Sequence, residues 1–158
     1  MVFKLDLKRF LISVIIPLGT GGLSALLTKD NMDLYSQINQ PALSPPSWIF
    51  PVVWTVLYLL MGISFYLVWS SGASSTEKKI AFSVFAIQLF LNFIWSPIFF
   101  NARWVLFAFI LLICIWILVL LMIIRFYKIS KPAGLLQLPY LLWLTFAAYL
   151  NLSIYLLN

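Results

Sequence analysis

Histidine is missing from this chain, cysteine occurs once, and only four side chains are acidic. With Cys114 as the single thiol and no imidazole, the chain can build neither an internal disulfide framework nor a Cys/His metal cluster. A Ser-His-Asp set and a phosphate-cradling glycine loop are absent for the same kind of reason. Asp6, Asp30, Asp33 and Glu77 all fall outside the long apolar runs, so no buried acid, lysine or histidine offers a proton relay or an ion-coupling site. Charged residues make up 9% of the chain. The ten Lys and Arg stand almost entirely at the ends of apolar runs, so the net charge of +6 describes loops beside a bilayer and not a nucleic-acid surface.

What is present is apolar and aromatic: 64% of the 158 residues are hydrophobic and 18% are Phe, Trp or Tyr. Such a mix predicts an all-α integral membrane protein. Apolar runs at about 10 to 28, 47 to 70, 80 to 101, 104 to 124 and 133 to 157 each have the roughly 20 residues a helix needs to cross the hydrocarbon, giving a bundle of five transmembrane helices in one domain. The first run follows Lys4, Lys8 and Arg9 as a signal peptide would, but no A-x-A site follows it, and it is read as a retained helix. Eight Lys and Arg lie on the side of the N-terminal tail and the second and fourth connectors, against Lys29 and Arg103 on the other. That asymmetry predicts an inside N-terminus. Residues 29 to 46 are too long for a plain helix connection and are expected to form a lid over the outer end.

The second run opens on "SPPSWIFPVVWTVLY". Pro45 and Pro46 cannot continue a helix from upstream, so Ser44 or Ser47 is the expected N-cap. Phe50, Trp54, Tyr58 and Met61 then share one face at helical spacing. Trp48 is expected in an interfacial aromatic belt. In the third run Gln88, Asn92, Trp95, Ser96 and Phe99 form a single stripe holding that helix's strongly polar side chains. An unpaired amide in hydrocarbon costs several kcal/mol, so this stripe must meet other helices or a cavity; for Gln88 alone, interhelical hydrogen bonding is the preferred reading.

The fifth run repeats the pattern with Pro139, Trp143, Ala147, Asn151 and Ile154, where the small Ala147 leaves room opposite the indole. The first run offers small residues instead: Pro17, Gly21 and Ala25, with Gly22 beside them, fit a close approach of two helices. The fourth run has no polar stripe and is expected to face lipid or a second subunit. Runs one, two, three and five would then surround a pocket of rings with a few amides, suited to a flat apolar ligand.

Three segments together, P-P-x-W-x-F-x-x-x-W-T-x-L-Y from Pro45, N-x-x-W-x-P-x-F-F from Asn92 and P-Y-x-x-W-x-x-x-A-x-x-L-N from Pro139, resemble the TSPO/MBR family of tryptophan-rich sensory proteins related to the peripheral benzodiazepine receptor. The resemblance covers nearly the whole chain. It implies a bacterial-type, cell-membrane homodimer that binds porphyrins such as protoporphyrin IX and haem, and isoquinoline-carboxamide or benzodiazepine drugs. By residue it points to Tyr35 in the loop, Pro45, Trp54 and Tyr58, Asn92, Ser96 and Phe99, and Trp143 and Ala147. With the stripes, the candidate site is Tyr35, Pro45, Phe50, Trp54, Tyr58, Asn92, Trp95, Ser96, Phe99, Trp143, Ala147 and Asn151. No catalytic residue and no metal ligand is assigned, and no cofactor is required. Porphyrin or haem enters as ligand, held by stacking and hydrogen bonds for want of a histidine.

The chain departs from the family where members often carry tryptophans around the loop tyrosine and before the P-P pair; here Leu34 and Leu43 stand, with Gln40 in place of a lysine. Light-dependent porphyrin breakdown, attributed to such loop aromatics, is thereby weakened for this chain, though it stays as the enzymatic alternative beside passive transport of flat apolar molecules. The cholesterol pattern of animal members is missing from the end, "LNLSIYLLN"; a formal match at Leu121, Tyr127 and Lys131 is too weak to use.

Overall fold

The computed structural model describes residues 5 to 158; Lys4, counted above among the N-terminal cations, lies outside the described residues. Five helices are long and apolar enough to cross a membrane, and they belong to an all-α integral membrane protein. They are α1 (Leu7–Thr28), α3 (Ile49–Trp69), α4 (Ser75–Ser96), α5 (Val105–Ile129) and α7 (Leu138–Leu157). Two short helices, α2 (Leu34–Gln37) in the long loop and α6 (Lys131–Leu135) before α7, complete the chain. Outward faces carry side chains such as Leu23, Leu26, Phe90 and Leu142, all largely exposed. In water that surface would drive aggregation; against lipid tails it needs no partner.

Local chemistry sets the helix ends. The Asp6 carboxylate accepts from the Arg9 backbone N–H at 3.1 Å and starts α1. At α4 the Ser74 hydroxyl accepts from the Glu77 N–H while Glu77 accepts from the Ser74 N–H, a reciprocal cap. The expected caps of the second span do not form: α3 begins at Ile49 after Trp48, with no side-chain cap, and Ser44 and Ser47 lie upstream of it. Pro46 explains the shift, because its carbonyl accepts from Ile49 N–H in a turn that precedes the helix. The third span starts five residues earlier than its hydropathy and ends in a π-turn, Pro97–Asn101, opened by the proline that cannot donate. The connector between the fourth and fifth spans shrinks to Ser130, since α5 runs on to Ile129, five residues past the expected end, and α6 begins at Lys131.

Close approach of helices falls on glycine. Pro17 inside α1 has no N–H for the Ser13 carbonyl, and Gly62 of α3 packs there: a Cβ at 62 would stand 2.8 Å from Ser13 O and 2.6 Å from Val14 Cα. Gly21 does the same one level up, where a Cβ would meet the Tyr58 ring at 2.2 Å. Pro17 and Gly21 of the small-residue face thus pack α1 against α3, whereas Gly22 and Ala25 lie exposed. At the far end α3 holds the elbow of α6: Ser64 Oγ donates to the Ala133 carbonyl, and Gln137 Nε2 to the Leu60 carbonyl at 3.3 Å.

The fourth span departs from expectation. Ala108, Leu111, Leu112, Ile115, Val119, Met122, Ile123 and Phe126 of α5 are buried, at helical spacing, against α4 and α7. An all-apolar helix gives no period from which to read its inner face, because the side chains that meet lipid and those that meet protein are of one kind.

Candidate functional site

The twelve candidate residues separate into two layers and a seam. In the inner layer the Tyr58 hydroxyl donates to Asn92 Oδ1 at 3.1 Å, Asn92 Nδ2 donates to the Tyr140 hydroxyl at 2.6 Å, and Tyr140 donates to Gln88 Oε1 at 3.0 Å. All four side chains are buried. This chain ties α3, α4 and α7 together, and it is interhelical hydrogen bonding in the sense expected for Gln88. Tyr140, which joins both amides, was missed as a site residue; its only signal was the tyrosine after Pro139 in a motif chosen for its tryptophan.

In the outer layer, rings meet ring edges. Tyr35 of α2 lies 5.1 Å from Phe50, Phe50 6.0 Å from Trp143, and Trp54 contacts Tyr58 at 5.5 Å and Tyr140 at 6.0 Å. The Tyr35–Phe50, Phe50–Trp143 and Trp54–Tyr140 pairs, at 76°, 68° and 69°, are edge-to-face, whereas Trp54 and Tyr58 are tilted by 31°. Ala147 sits half-buried one turn beyond Trp143. The Trp143 indole nitrogen is buried, yet it has no hydrogen-bond partner among the described residues.

The seam joins α4 and α7 to α5. Trp95 Nε1 donates to the Ala108 carbonyl at 3.0 Å and its ring stacks on Phe99 at 5.0 Å, while Asn151 Nδ2 donates to the Val105 carbonyl at 2.9 Å. Phe99 packs with Tyr35 and Ile154 in one cluster, so the seam touches the loop. Ser96 ends α4 ahead of the π-turn and is half-buried.

The loop is braced within itself and anchored to the bundle at two points. The Tyr35 hydroxyl donates to the Pro45 carbonyl at 3.4 Å, and Gln40 Nε2 to the Tyr35 carbonyl at 2.7 Å. Asn31 donates to Asn101 at 2.9 Å, which in turn donates to the Leu27 carbonyl. Asn39 and Asn158 exchange hydrogen bonds at 3.0 and 3.2 Å. The segment thereby lies across the ends of α1, α4 and α7.

Five buried polar side-chain atoms lack a partner among the described residues. Gln88, Gln137 and Asn151 each have their other amide atom bonded, so they are half-satisfied. Ser44 and Trp143 have one polar side-chain atom each and it is unmet. Both belong to the loop end of the bundle, Ser44 beside Pro45 and Trp143 against Phe50. An unmet donor in a low-dielectric site costs about 1 to 3 kcal/mol, and the Trp143 N–H is such a donor beside the rings of Phe50 and Phe146. Among the described residues no His, Cys, Asp and Glu come together as a metal site.

A five-helix membrane bundle with a ring cluster under a strapped loop defines the class of protein. Residues 13 to 157 match the TspO/MBR family, and the chain belongs to that family. Among its relatives, the tryptophan-rich protein TspO of Chlorobaculum tepidum is 40% identical over 124 residues, 78% of each chain. The protein of the same name from Archaeoglobus fulgidus is 37% identical over 155 residues, 98% of this chain and 99% of that one. The human translocator protein is 35% identical over 122 residues, covering 77% and 72%.

Proposed function

We propose that this membrane protein binds porphyrins, protoporphyrin IX and haem among them, and isoquinoline-carboxamide or benzodiazepine-type molecules, in the ring cluster of Tyr35, Phe50, Trp54 and Trp143. The observation that carries the reading is the buried, unpartnered Trp143 N–H set among edge-to-face rings. A flat aromatic ligand with a carbonyl or carboxylate offers both a stacking face and the missing acceptor. Entry requires the loop to lift, because Tyr35 covers Phe50 from above. Names among the relatives support a sensing or translocating role, as a tryptophan-rich sensory protein of Cereibacter sphaeroides and translocator proteins of mammals occur among them.

The test is a titration of the purified chain with protoporphyrin IX, followed by tryptophan fluorescence. Saturable quenching, lost in Trp143→Ala, is expected; linear, non-saturating quenching overturns the reading. Illumination against free porphyrin in the same detergent reports breakdown, and flux into sealed vesicles reports transport, and neither is expected to exceed its control. The N-terminus is placed inside a bacterial cell membrane, so a reporter at Asn158 reads outside. The exposed apolar face of α5, or failing it that of α4, is assigned to a homodimer, which a monomer in native-like lipid would refute.

A further inference from the structure

At the opposite end of α3 from Phe50, about 28 Å along the helix at 1.5 Å per residue, an open groove of about 610 Å³ lies between the N-terminal ends of α1 and α4. Trp69, the last residue of α3, floors it. Three cations line it: Arg9, Lys78 and Lys79. They are not equivalent. Arg9 pairs with Asp6 at 3.1 Å and places its guanidinium 5.8 Å from the centre of the Trp69 ring. Lys78 donates to the carbonyls of Trp69 and Ser71, which closes the C-terminus of α3. The Lys79 backbone carbonyl accepts from Ser83 Oγ at 2.9 Å, but its ammonium makes no hydrogen bond or ion pair among the described residues, so three N–H donors stand free at the mouth. Glu77, the other carboxylate of these ends, is turned onto Ser74. Three cations less the carboxylates of Asp6 and Glu77 leave one positive charge in excess, and the exposed Lys8 adds a second.

The floor changes character along α4. Lys79 and Ser83 are followed on the same face by Ala86, and one turn further by Phe90, 61% exposed on the outer surface. The groove is therefore cationic at the membrane face and apolar towards the bilayer interior. A soluble anion would use only the first part; a molecule with a phosphate and an acyl chain uses both. We infer that this groove binds the headgroup phosphate of an anionic phospholipid, with Lys79 as the principal charge contact, Arg9 over Trp69 as the wall, and the acyl chain laid along Ala86 and Phe90. The leaflet concerned is the one facing Lys8, Arg125 and Lys128, where basic side chains already concentrate. The inference does not rest on the ring cluster and stands if porphyrin binding fails.

Native mass spectrometry of the full chain in neutral detergent, titrated with phosphatidylglycerol and in parallel with phosphatidylcholine of the same acyl chains, tests it. Phosphatidylglycerol is expected to bind more tightly, because phosphatidylcholine carries a choline cation that offsets its phosphate, and Lys79→Gln to weaken phosphatidylglycerol by about five-fold and phosphatidylcholine by less. Ser83→Trp, which fills the exposed groove without touching a charge, is expected to weaken both lipids. Lys128→Gln with Lys131→Gln, on the same membrane face but outside the groove, should change neither. Equal binding of the two lipids overturns the site. So does an equal loss in the Lys128/Lys131 variant, which would mean a diffuse surface charge, or displacement of the lipid by excess inorganic phosphate, which would mean a soluble-anion site.

Discussion

Helices α3 and α7 meet twice, and the two meetings are built differently. Deep in the bundle, Tyr58 and Tyr140 are joined through Asn92, Gln88 accepts from Tyr140, and both hydroxyls donate. Nearer the loop, Phe50 and Trp143 meet ring to edge, and the one polar atom present, the indole N–H, is unmet. The first arrangement spends its polar groups on holding helices together. The second keeps one in reserve. Aromatic composition does not separate them; in the inner layer every side chain has at least one polar atom bonded, with only Gln88 Nε2 left over among the described residues, whereas the single polar atom of Trp143 is unmet.

Breaking the inner layer should have the largest effect. In Gly21→Val the added carbons collide with the Tyr58 ring, which leans on α1 at a distance that leaves no room for a Cβ. Displacing the ring uncouples its hydroxyl from Asn92, and a loss of about 1 to 3 kcal/mol of stability is expected in detergent unfolding, from overpacking alone. Wild-type stability in this variant would mean that the inner layer is not what holds α1, α3 and α4 together.

The outer layer should respond in the opposite sense. Trp143→Phe removes a donor that has no partner, so stability should hold, while protoporphyrin affinity falls by about 3- to 10-fold. Trp54→Phe is expected to weaken binding by a similar factor, because its ring bridges both layers at Tyr58 and Tyr140. A stability loss equal to that of Gly21→Val would merge the two layers into one structural cluster.

Trp116 sharpens the contrast. Its indole donates to Thr145 Oγ1 at 2.9 Å, across the α5 and α7 seam. Trp116→Phe should therefore cost about 0.6 kcal/mol, the usual worth of a hydrogen bond between membrane helices, and leave ligand affinity unchanged. Thermal unfolding and the fluorescence titration together check it.

The smallest effect is expected at Arg103, a non-glycine residue with φ of 57° in the turn before α5. Arg103→Gly should be neutral or slightly stabilising, by under about 1 kcal/mol, since glycine adopts that conformation without a Cβ penalty. A clear destabilisation would give the Arg103 side chain a role that the turn geometry does not.

Hydropathy and spacing by themselves determined the five spans, the stripe from Gln88 to Phe99, the ring face from Phe50 to Tyr58 and the small face at Gly21, because a helix repeats every 3.6 residues whatever surrounds it. The family was legible too, since its three motifs lie on those faces. The inner face of α5 was not, because apolar side chains look alike to lipid and to protein. Nor could the period say what each polar atom on a stripe would meet. Asn92, Trp95 and Asn151 sit on pocket-like stripes exactly as Trp143 does in sequence terms, yet the first three find a hydroxyl or a backbone carbonyl on a neighbouring helix and the last does not. Helix periodicity fixes the direction in which a side chain leaves its own axis. Whether a partner atom stands within hydrogen-bond reach at the other end depends on the position of a second helix, and only the tertiary structure decides that.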